Sequence, residues 1–167
     1  MDGDGRRRPG GAAASRTVLV SDEQSRPVDL ERLRRLAGHV LADRGVPAGT
    51  ELSVTCIDAA AMAALNGRHL GEHAPTDVLA FPMDAPGETT PDEPALLGDV
   101  VLCPEVAAAQ AADRGAPAAD ELDLLLVHGI LHLLGHDHVD EAERADMFGL
   151  TDALLASFAG SAAGSAP

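Results

Sequence analysis

HGILHLLGHDH, residues 128–138, is the stretch that decides this chain, because it holds four of the seven histidines within eleven residues. The preceding segment, 120–127, is leucine-rich and lacks glycine and proline, so it predicts a helix that continues through His132. His128 and His132 then lie one turn apart on one helix face, where two imidazoles can bind a single ion. A glycine at 135 supplies the positive φ that ends a helix, and the chain turns back to offer His138 as a third ligand.

Three neutral nitrogen ligands favour Zn²⁺ or a similar borderline ion, and they leave a fourth coordination position for water. Such an open position is typical of catalytic zinc sites. The two cysteines, Cys56 and Cys103, lie far from the histidines in sequence and do not close the site. The sequence therefore predicts one catalytic zinc ion per chain, held by His128, His132 and His138. The alternative, that these are ordinary histidines of an apolar helix, is disfavoured by their clustering around a glycine.

The spacing of the three histidines is shared with the metzincin peptidases, which leaves a second class of enzyme open. Those peptidases need a glutamate directly after the first histidine as general base, and Gly129 holds that position here. Peptide hydrolysis is therefore disfavoured. A glycine beside the metal suggests instead the close approach of another backbone or of a bulky substrate.

The motif resembles that of the YbeY family of bacterial metal-dependent endoribonucleases, H-G-x-L-H-L-x-G-y-D-H. The y position, usually aromatic in the family, is His136 here. Three segments upstream share the family's pattern: Leu65-Asn66, PTDVLAFP at 75–82 and LGDV at 97–100. The resemblance covers about residues 18–158.

This resemblance implies a single-strand-specific endoribonuclease that acts on precursor rRNA of the small ribosomal subunit. It implies RNA as the substrate, with small-subunit ribosomal proteins and an assembly GTPase as partners. The family's arginine, four residues after the asparagine, is Leu70 here, and Arg68 is the nearby candidate for contacting phosphate in its place. Asn66 and Thr76 are further candidates for substrate binding.

Two aspartates are candidates for catalytic proton transfer. Asp137 lies between two histidines, where it either orients a ligand by accepting its second N–H or serves as a plain turn carboxylate. Asp77 precedes a predicted strand. The resemblance suggests that Asp77 and Thr76 line the cleft opposite the histidines, whereas a turn would need them only to satisfy backbone amides. Whether water or the ribose 2′-OH attacks the phosphate is not decided by the sequence.

Charge is distributed unevenly along the chain. The formal net charge is −15, and all twelve basic residues are arginines, nine of them in residues 1–50. Four arginines share one predicted helix and form an arginine strip: Arg32, Arg34, Arg35 and Arg44. This strip either contacts phosphates or is a solvated helix face. With three Phe and neither Trp nor Tyr in the chain, no aromatic platform for stacked bases is expected.

Length and composition, 167 residues with 46% hydrophobic content, predict a single domain with one core. Residues 1–16 lack the apolar run of a signal peptide and are predicted to be a disordered tail, as are residues 159–167. Residues 17–158 are predicted to form the metallo-endoribonuclease domain. No run approaches the ~18 apolar residues of a membrane span, and two cysteines make no disulfide framework. A cytoplasmic protein is expected, with neither a membrane nor DNA as a partner.

The alternation of strands and helices predicts an α+β fold, a mixed four-stranded sheet packed with about five helices. Strands are predicted at 17–20, 51–57, 76–81 and 98–103, and helices at 28–43, 58–65, 105–112, 118–134 and 140–156. The first two strands should be parallel, and the third and fourth should form an antiparallel hairpin with a long loop. Gly98 opens the fourth strand, where a glycine indicates a bulge or a close approach. The resemblance implies the same architecture, with the metal-binding helix near the centre.

Two other functions stay open at this point. One is a metal-dependent hydrolase of peptides or esters. The other is a non-catalytic ribosome-assembly factor whose metal only braces the fold. RNA cleavage, turnover of casein or an ester, and ribosome binding that survives loss of the metal ligands distinguish the three functions.

Overall fold

The computed structural model describes residues 16–70, 76–84, 95–136 and 140–164 of the chain. The elements follow one another in the order β1 (Thr17–Glu23), α1 (Leu30–Asp43), β2 (Glu51–Ile57), α2 (Ala59–Leu70), β3 (Val78–Pro82), β4 (Leu96–Leu102), α3 (Pro104–Arg114), α4 (Ala118–Leu133) and α5 (Glu141–Gly164). The predicted alternation of strands and helices is confirmed. Most element ends differ from the predicted ones by a few residues.

The four strands form one mixed sheet in the order β1-β2-β4-β3. β2 pairs in parallel with both β1 and β4, and β3 pairs antiparallel with β4. The predicted α+β fold and the antiparallel pairing of the third and fourth strands are therefore confirmed. β1 and β3 are the two edges of the sheet.

Helices cover both faces of this sheet. The main core joins one sheet face to α1, α4 and α5 through fully buried side chains: Leu36, Val40, Leu52, Val54, Val100, Leu126, Ile130 and Leu154. Leu52 and Val54 lie two positions apart on β2, as the alternation of side chains along a strand requires. The other face packs against α2, where Met62 joins Ile57, Val101 and Cys103.

α4 lies at the centre of the fold and contacts β3, β4, α1, α3 and α5. This confirms the predicted position of the metal-binding helix. The helix buries two acids, Glu121 and Asp123, along with its leucines. Arg114 pairs with Glu121, and Arg32 contacts Asp123 at 2.7 Å. Buried charges need such partners because their transfer from water is costly.

Two glycines let α4 lie directly against the sheet. A Cβ added at Gly129 would lie 2.7 Å from Cγ1 of Val100. A Cβ added at Gly98 would lie 2.4 Å from the carbonyl oxygen of Phe81, and Gly98 follows a register shift between β2 and β4. The bulge and the close approach predicted for Gly98 are both present. At Gly129 the observed close approach is that of a valine side chain of the sheet, and the approach of a substrate stays a prediction.

The C-terminal boundary differs from the prediction. α5 continues past Ala156 to Gly164, so the described part of the predicted tail at 159–167 is helical. Phe158 is the reason, because this ring is buried against the main core at the end of the expected domain and keeps the helix docked there.

Arg16, the last residue of the predicted N-terminal tail, belongs to the described residues. The Nε of Arg16 donates a hydrogen bond of 2.6 Å to the carbonyl oxygen of Val46, which orders Arg16 directly before β1. The rest of the predicted tail, 1–15, lies outside the described residues. Among the described helices, none combines the length and the apolar composition that crossing a membrane requires.

We expect Gly129→Ala to lower the free energy of unfolding by about 1–3 kcal/mol, because the added methyl group overlaps Val100 and the core must shift. Gly149→Ala is the matched control, since this glycine is also helical and nothing lies within 4 Å of an added Cβ. The control should be neutral or stabilising by about 0.5–1 kcal/mol. Urea titration compares the two variants, and a Gly129→Ala protein as stable as the wild type would contradict the close packing.

Candidate active site

The end of α4 is built as the sequence predicts. His128 and His132 lie in consecutive turns of the helix. Gly135 follows with a φ of 97°, and its N–H donates to the carbonyl oxygen of His132 at 3.1 Å. The N–H of His136 donates to the carbonyl oxygen of Leu131 at 3.0 Å. This pair of bonds is the Schellman motif, which ends a helix and reverses the direction of the chain.

Two predicted site residues, Asp137 and His138, lie outside the described residues. In the described ranges, no group of three His, Cys, Asp or Glu side chains comes together as a metal site. The two imidazoles that are described fit a zinc site, because they stand one turn apart on one helix and both open into the same cavity.

This cavity has a volume of about 620 Å³ and lies between α4, α5 and the edge strand β3. The polar groups of its described wall are Asp77, His128, His132 and Arg144, and the rest of the wall is mainly apolar. A mainly apolar cavity with a few convergent polar groups is the usual form of a small-molecule or cofactor site.

Asp77 directly precedes β3, and its side chain lines the cavity. Its Oδ1 accepts the N–H of Val78 at 2.8 Å and lies 3.5 Å from the hydroxyl of Thr76. With its amide nitrogen turned toward the carboxylates, Gln110 donates to Oδ2 of Asp77 at 3.2 Å and to Glu121 at 3.3 Å. Asp77 thus satisfies a turn amide and lines the cavity as well, which combines the two alternatives that the sequence left open.

The other predicted substrate-binding residues lie on or near α2. Arg68 is exposed and Asn66 is buried, and neither belongs to the described cavity wall. Thr76 approaches the site through its contact with Asp77. Leu70, at the position of the family's arginine, is the last residue of α2.

Two residues that the sequence analysis did not single out line the cavity from α5. Arg144 and Phe148 are four residues apart and project from one face of this helix. The ring centroids of Phe148 and His128 are 5.3 Å apart, and Phe148 keeps an exposed fraction of 49%. The cavity therefore exposes one aromatic ring, in a chain whose composition predicts no aromatic platform for stacked bases. The four-residue spacing was the available signal, but nothing in the sequence says which face of α5 is open.

The arginine strip is largely engaged in ion pairs. Three of its four members contact acids: Arg32 with Asp123, Arg34 with Glu31 and Arg44 with Asp43. The guanidinium of Arg32 also lies over the ring of Phe158, 5.7 Å from its centroid. Burial raises the pKa of Asp123, and the hydrogen bond from Arg32 opposes that rise. These contacts favour the solvated helix face over a phosphate-binding surface.

The cysteines take no part in the cavity. Cys56 and Cys103 carry free thiols and are fully buried. Cys56 belongs to the main core, and Cys103 belongs to the core on the α2 face of the sheet. Burial raises the pKa of Cys56 to about 12, and it also raises the pKa of Cys103. Because both thiols are buried away from the cavity wall, neither cysteine is placed to join the histidines at one ion.

The family model of Endoribonuclease YbeY matches residues 19–159 of the chain. The chain belongs to the YbeY family of endoribonucleases. Endoribonuclease YbeY of Salinispora tropica is 49% identical over 150 residues, which cover 85% of this chain and 96% of the relative. The Thermobifida fusca enzyme of the same name is 50% identical over 147 residues, which cover 85% and 94%. The resemblance drawn from the histidine motif is therefore confirmed, and as a YbeY endoribonuclease the chain is a hydrolase that acts on RNA.

A solved structure supports the fold. The solution structure of TM1509 from Thermotoga maritima superimposes with a TM-score of 0.63 at 23% identity, and the match covers 87% of this chain and 91% of that one. The α+β architecture of this YbeY protein thus has an experimental counterpart.

We expect Cys56 and Cys103 to resist a thiol reagent such as DTNB at about pH 8 in the folded protein, because the thiolate is the reactive form. Unfolding in urea should expose both thiols. The stabilisation from keeping Cys56 neutral is complete below the ordinary pKa of 9.0 and is lost as the pH rises toward about 12. Rapid labelling of both thiols in the folded protein would contradict their burial.

Proposed function

We propose that this chain cleaves single-stranded RNA in the cavity between α4, α5 and β3, with one zinc ion held by His128, His132 and His138. The observation that carries the proposal is the pair of histidines one turn apart on α4, which open with Asp77 and Arg144 into a cavity of about 620 Å³. Membership of the family supplies the reaction, and the donor chemistry of the imidazoles favours the metal.

The two described histidines are held by α4, the helix that contacts both β3 and β4 of the sheet. When bound, zinc supplies Lewis acidity toward a phosphoryl oxygen of the RNA. His128 and His132 bind it from a helix that is fixed against the sheet at Gly129, and such rigid support keeps ligands in a constant relation. His138, which lies three positions after Gly135 in the sequence, is the third ligand that we propose.

Asp77 is the residue we assign to proton transfer from the attacking hydroxyl or water. A carboxylate performs this role when it is held within reach of the proton. The N–H of Val78 and the amide of Gln110 hold Asp77 at the cavity wall, and Glu121 fixes the same amide from the other side. Asp137 is the alternative, either for this transfer or for orienting a histidine by accepting its second N–H.

The proposed substrate is precursor rRNA of the small ribosomal subunit, since rRNA maturation is the role of this family. A net charge of −15 opposes non-specific attraction of RNA. Small-subunit proteins and an assembly GTPase are therefore proposed to present the RNA, and a cytoplasmic location follows from that substrate. Arg68 and Asn66 of α2 are proposed as contacts for RNA beyond the cleaved bond, with Thr76 beside Asp77.

Metal content and RNA cleavage test this proposal together. The wild type should contain about one zinc per chain and should cut a single-stranded precursor rRNA fragment, with loss of cleavage on chelation and recovery on addition of zinc. His132→Ala should lose both metal and cleavage. His136→Ala is the matched control, because it removes a neighbouring imidazole that is not part of the described cavity wall.

Stoichiometric zinc in a variant lacking His128, His132 and His138 together would overturn the metal site. Turnover of casein or an ester without RNA cleavage would indicate a different hydrolase. Co-sedimentation with ribosomes that persists in His132→Ala, in the absence of any cleavage by the wild type, would indicate an assembly factor.

Removing the support of Asp77 should slow cleavage without removing metal. Gln110→Met keeps the size of the side chain but takes away the donor between Asp77 and Glu121. We expect kcat to fall by about ten- to a hundredfold and the free energy of unfolding to fall by about 1–3 kcal/mol. Gln24→Met is the control for kcat, because it makes the same change at a half-buried glutamine that lies outside the described cavity wall and bonds to Asp22 and Arg26. Unchanged kcat in Gln110→Met would show that the position of Asp77 does not matter to the reaction.

A further inference from the structure

We infer that α5 carries a nucleotide subsite, in which Phe148 stacks on one base of the RNA and Arg144 binds the adjoining phosphate. This inference rests on the proposed function, because it takes the cavity beside His128 and His132 as the place where RNA is cut.

The two side chains match the shape of a nucleotide. Arg144 and Phe148 lie four residues apart on α5 and line the same cavity as the two histidines. The backbone positions that carry the guanidinium and the aromatic ring are therefore about 6 Å apart along the helix axis. A nucleotide presents a charged phosphate and a flat base at a comparable separation, across its sugar.

Phe148 is exposed, whereas the other large apolar side chains of α5 are buried or half-buried. It keeps 49% of its surface exposed, whereas Met147 beside it keeps 6% and Phe158 on the same helix keeps 7%. Its ring is tilted by 57° to the ring of His128 at a centroid distance of 5.3 Å. About half of the ring thus stays open beside a proposed metal ligand, and a stacked base would cover it with a gain typical of aromatic contacts with single strands.

Arg144 carries a positive charge into the cavity wall from α5. Four described arginines pair with acids: Arg32, Arg34, Arg44 and Arg114. Arg144 makes no ion pair within the part of the chain that the structure describes, and it projects into the cavity. In a chain of net charge −15, a guanidinium placed beside two imidazoles is suited to an anionic ligand, and phosphate is the anion that RNA offers there.

The subsite also accounts for a preference for single strands. A base within a duplex is stacked and paired, so it reaches an aromatic side chain only after it is splayed out of the helix. A base of a single strand can lie on Phe148 at much lower cost.

The absence of Trp and Tyr from the chain makes a direct test possible. Phe148→Trp places a single fluorophore at the subsite, and a short 2′-O-methyl oligoadenylate added to the zinc-loaded protein should quench it by stacking. Leu19→Trp is the matched control, because Leu19 is 55% exposed on β1, at the edge of the sheet opposite β3. Equal quenching of both variants, or of neither, would overturn the stacking half of the inference.

Two ligands, the intact oligonucleotide and an abasic version, distinguish the contribution of the base to binding from that of the phosphate. Phe148→Leu should weaken binding of the intact oligonucleotide by about five- to a hundredfold and should leave binding of an abasic version unchanged, whereas Phe148→Tyr should bind both like the wild type. Arg144→Gln should weaken binding of both ligands and lower the slope of log K against log salt by about 0.7, the contribution of one phosphate. Arg26→Gln, at an exposed arginine between β1 and α1 and outside the described cavity wall, is the control for Arg144.

Zinc content should stay at the wild-type level in all of these variants. If Phe148→Leu and Arg144→Gln bind both ligands like the wild type while His132→Ala loses cleavage, the subsite is wrong and the proposed function stands. If cleavage survives His132→Ala, the proposed function itself fails. A salt slope unchanged in Arg144→Gln would overturn the phosphate half alone.

Discussion

The contact between Gly129 of α4 and Val100 of β4 fixes the position of the helix on which the site depends. A Cβ at residue 129 would lie 2.7 Å from the valine, so α4 can lie this close to the sheet only with glycine there. His128 directly precedes this contact, and His132 follows one turn later. The depth at which the histidines stand against β3 is therefore set by packing in the core rather than by a surface loop.

A second constraint is electrostatic. α4 carries two acids into the core, Glu121 and Asp123, and each has an arginine partner from another helix. Glu121 also shares the amide of Gln110 with Asp77. The polar wall of the cavity is thereby tied to the buried charges of α4, so that Asp77 is oriented from the interior of the protein. Arg144, by contrast, makes no ion pair among the described residues and opens into the cavity, which is why we place an RNA phosphate there.

Local patterns predicted α4 and its end well, because the signals act over short distances. The segment 118–136 contains all of these signals. They are two histidines one turn apart, the leucine-rich stretch before them and a glycine at the left-handed position that ends the helix. The mixed sheet was also predictable, since each strand shows its own alternation and the strand–helix–strand unit favours parallel pairing. The family was apparent from the same motif.

Contacts between distant parts of the chain were not predictable. Arg32 and Asp123 are 91 positions apart, so the pairing that engages the arginine strip leaves no local signal. The partner of Gly129 lies on β4, and a lone glycine does not say what approaches it. The open face of α5 depends on how this helix docks beside α4, which is why Arg144 and Phe148 emerged only from the structure.

The most direct test of this account is a crystal structure of the zinc-loaded protein with a bound single-stranded oligonucleotide. The account predicts zinc on His128 and His132, a phosphate near Arg144 and a base against the ring of Phe148. An oligonucleotide bound along the arginine strip of α1, with the cavity between α4, α5 and β3 containing no RNA, would contradict it.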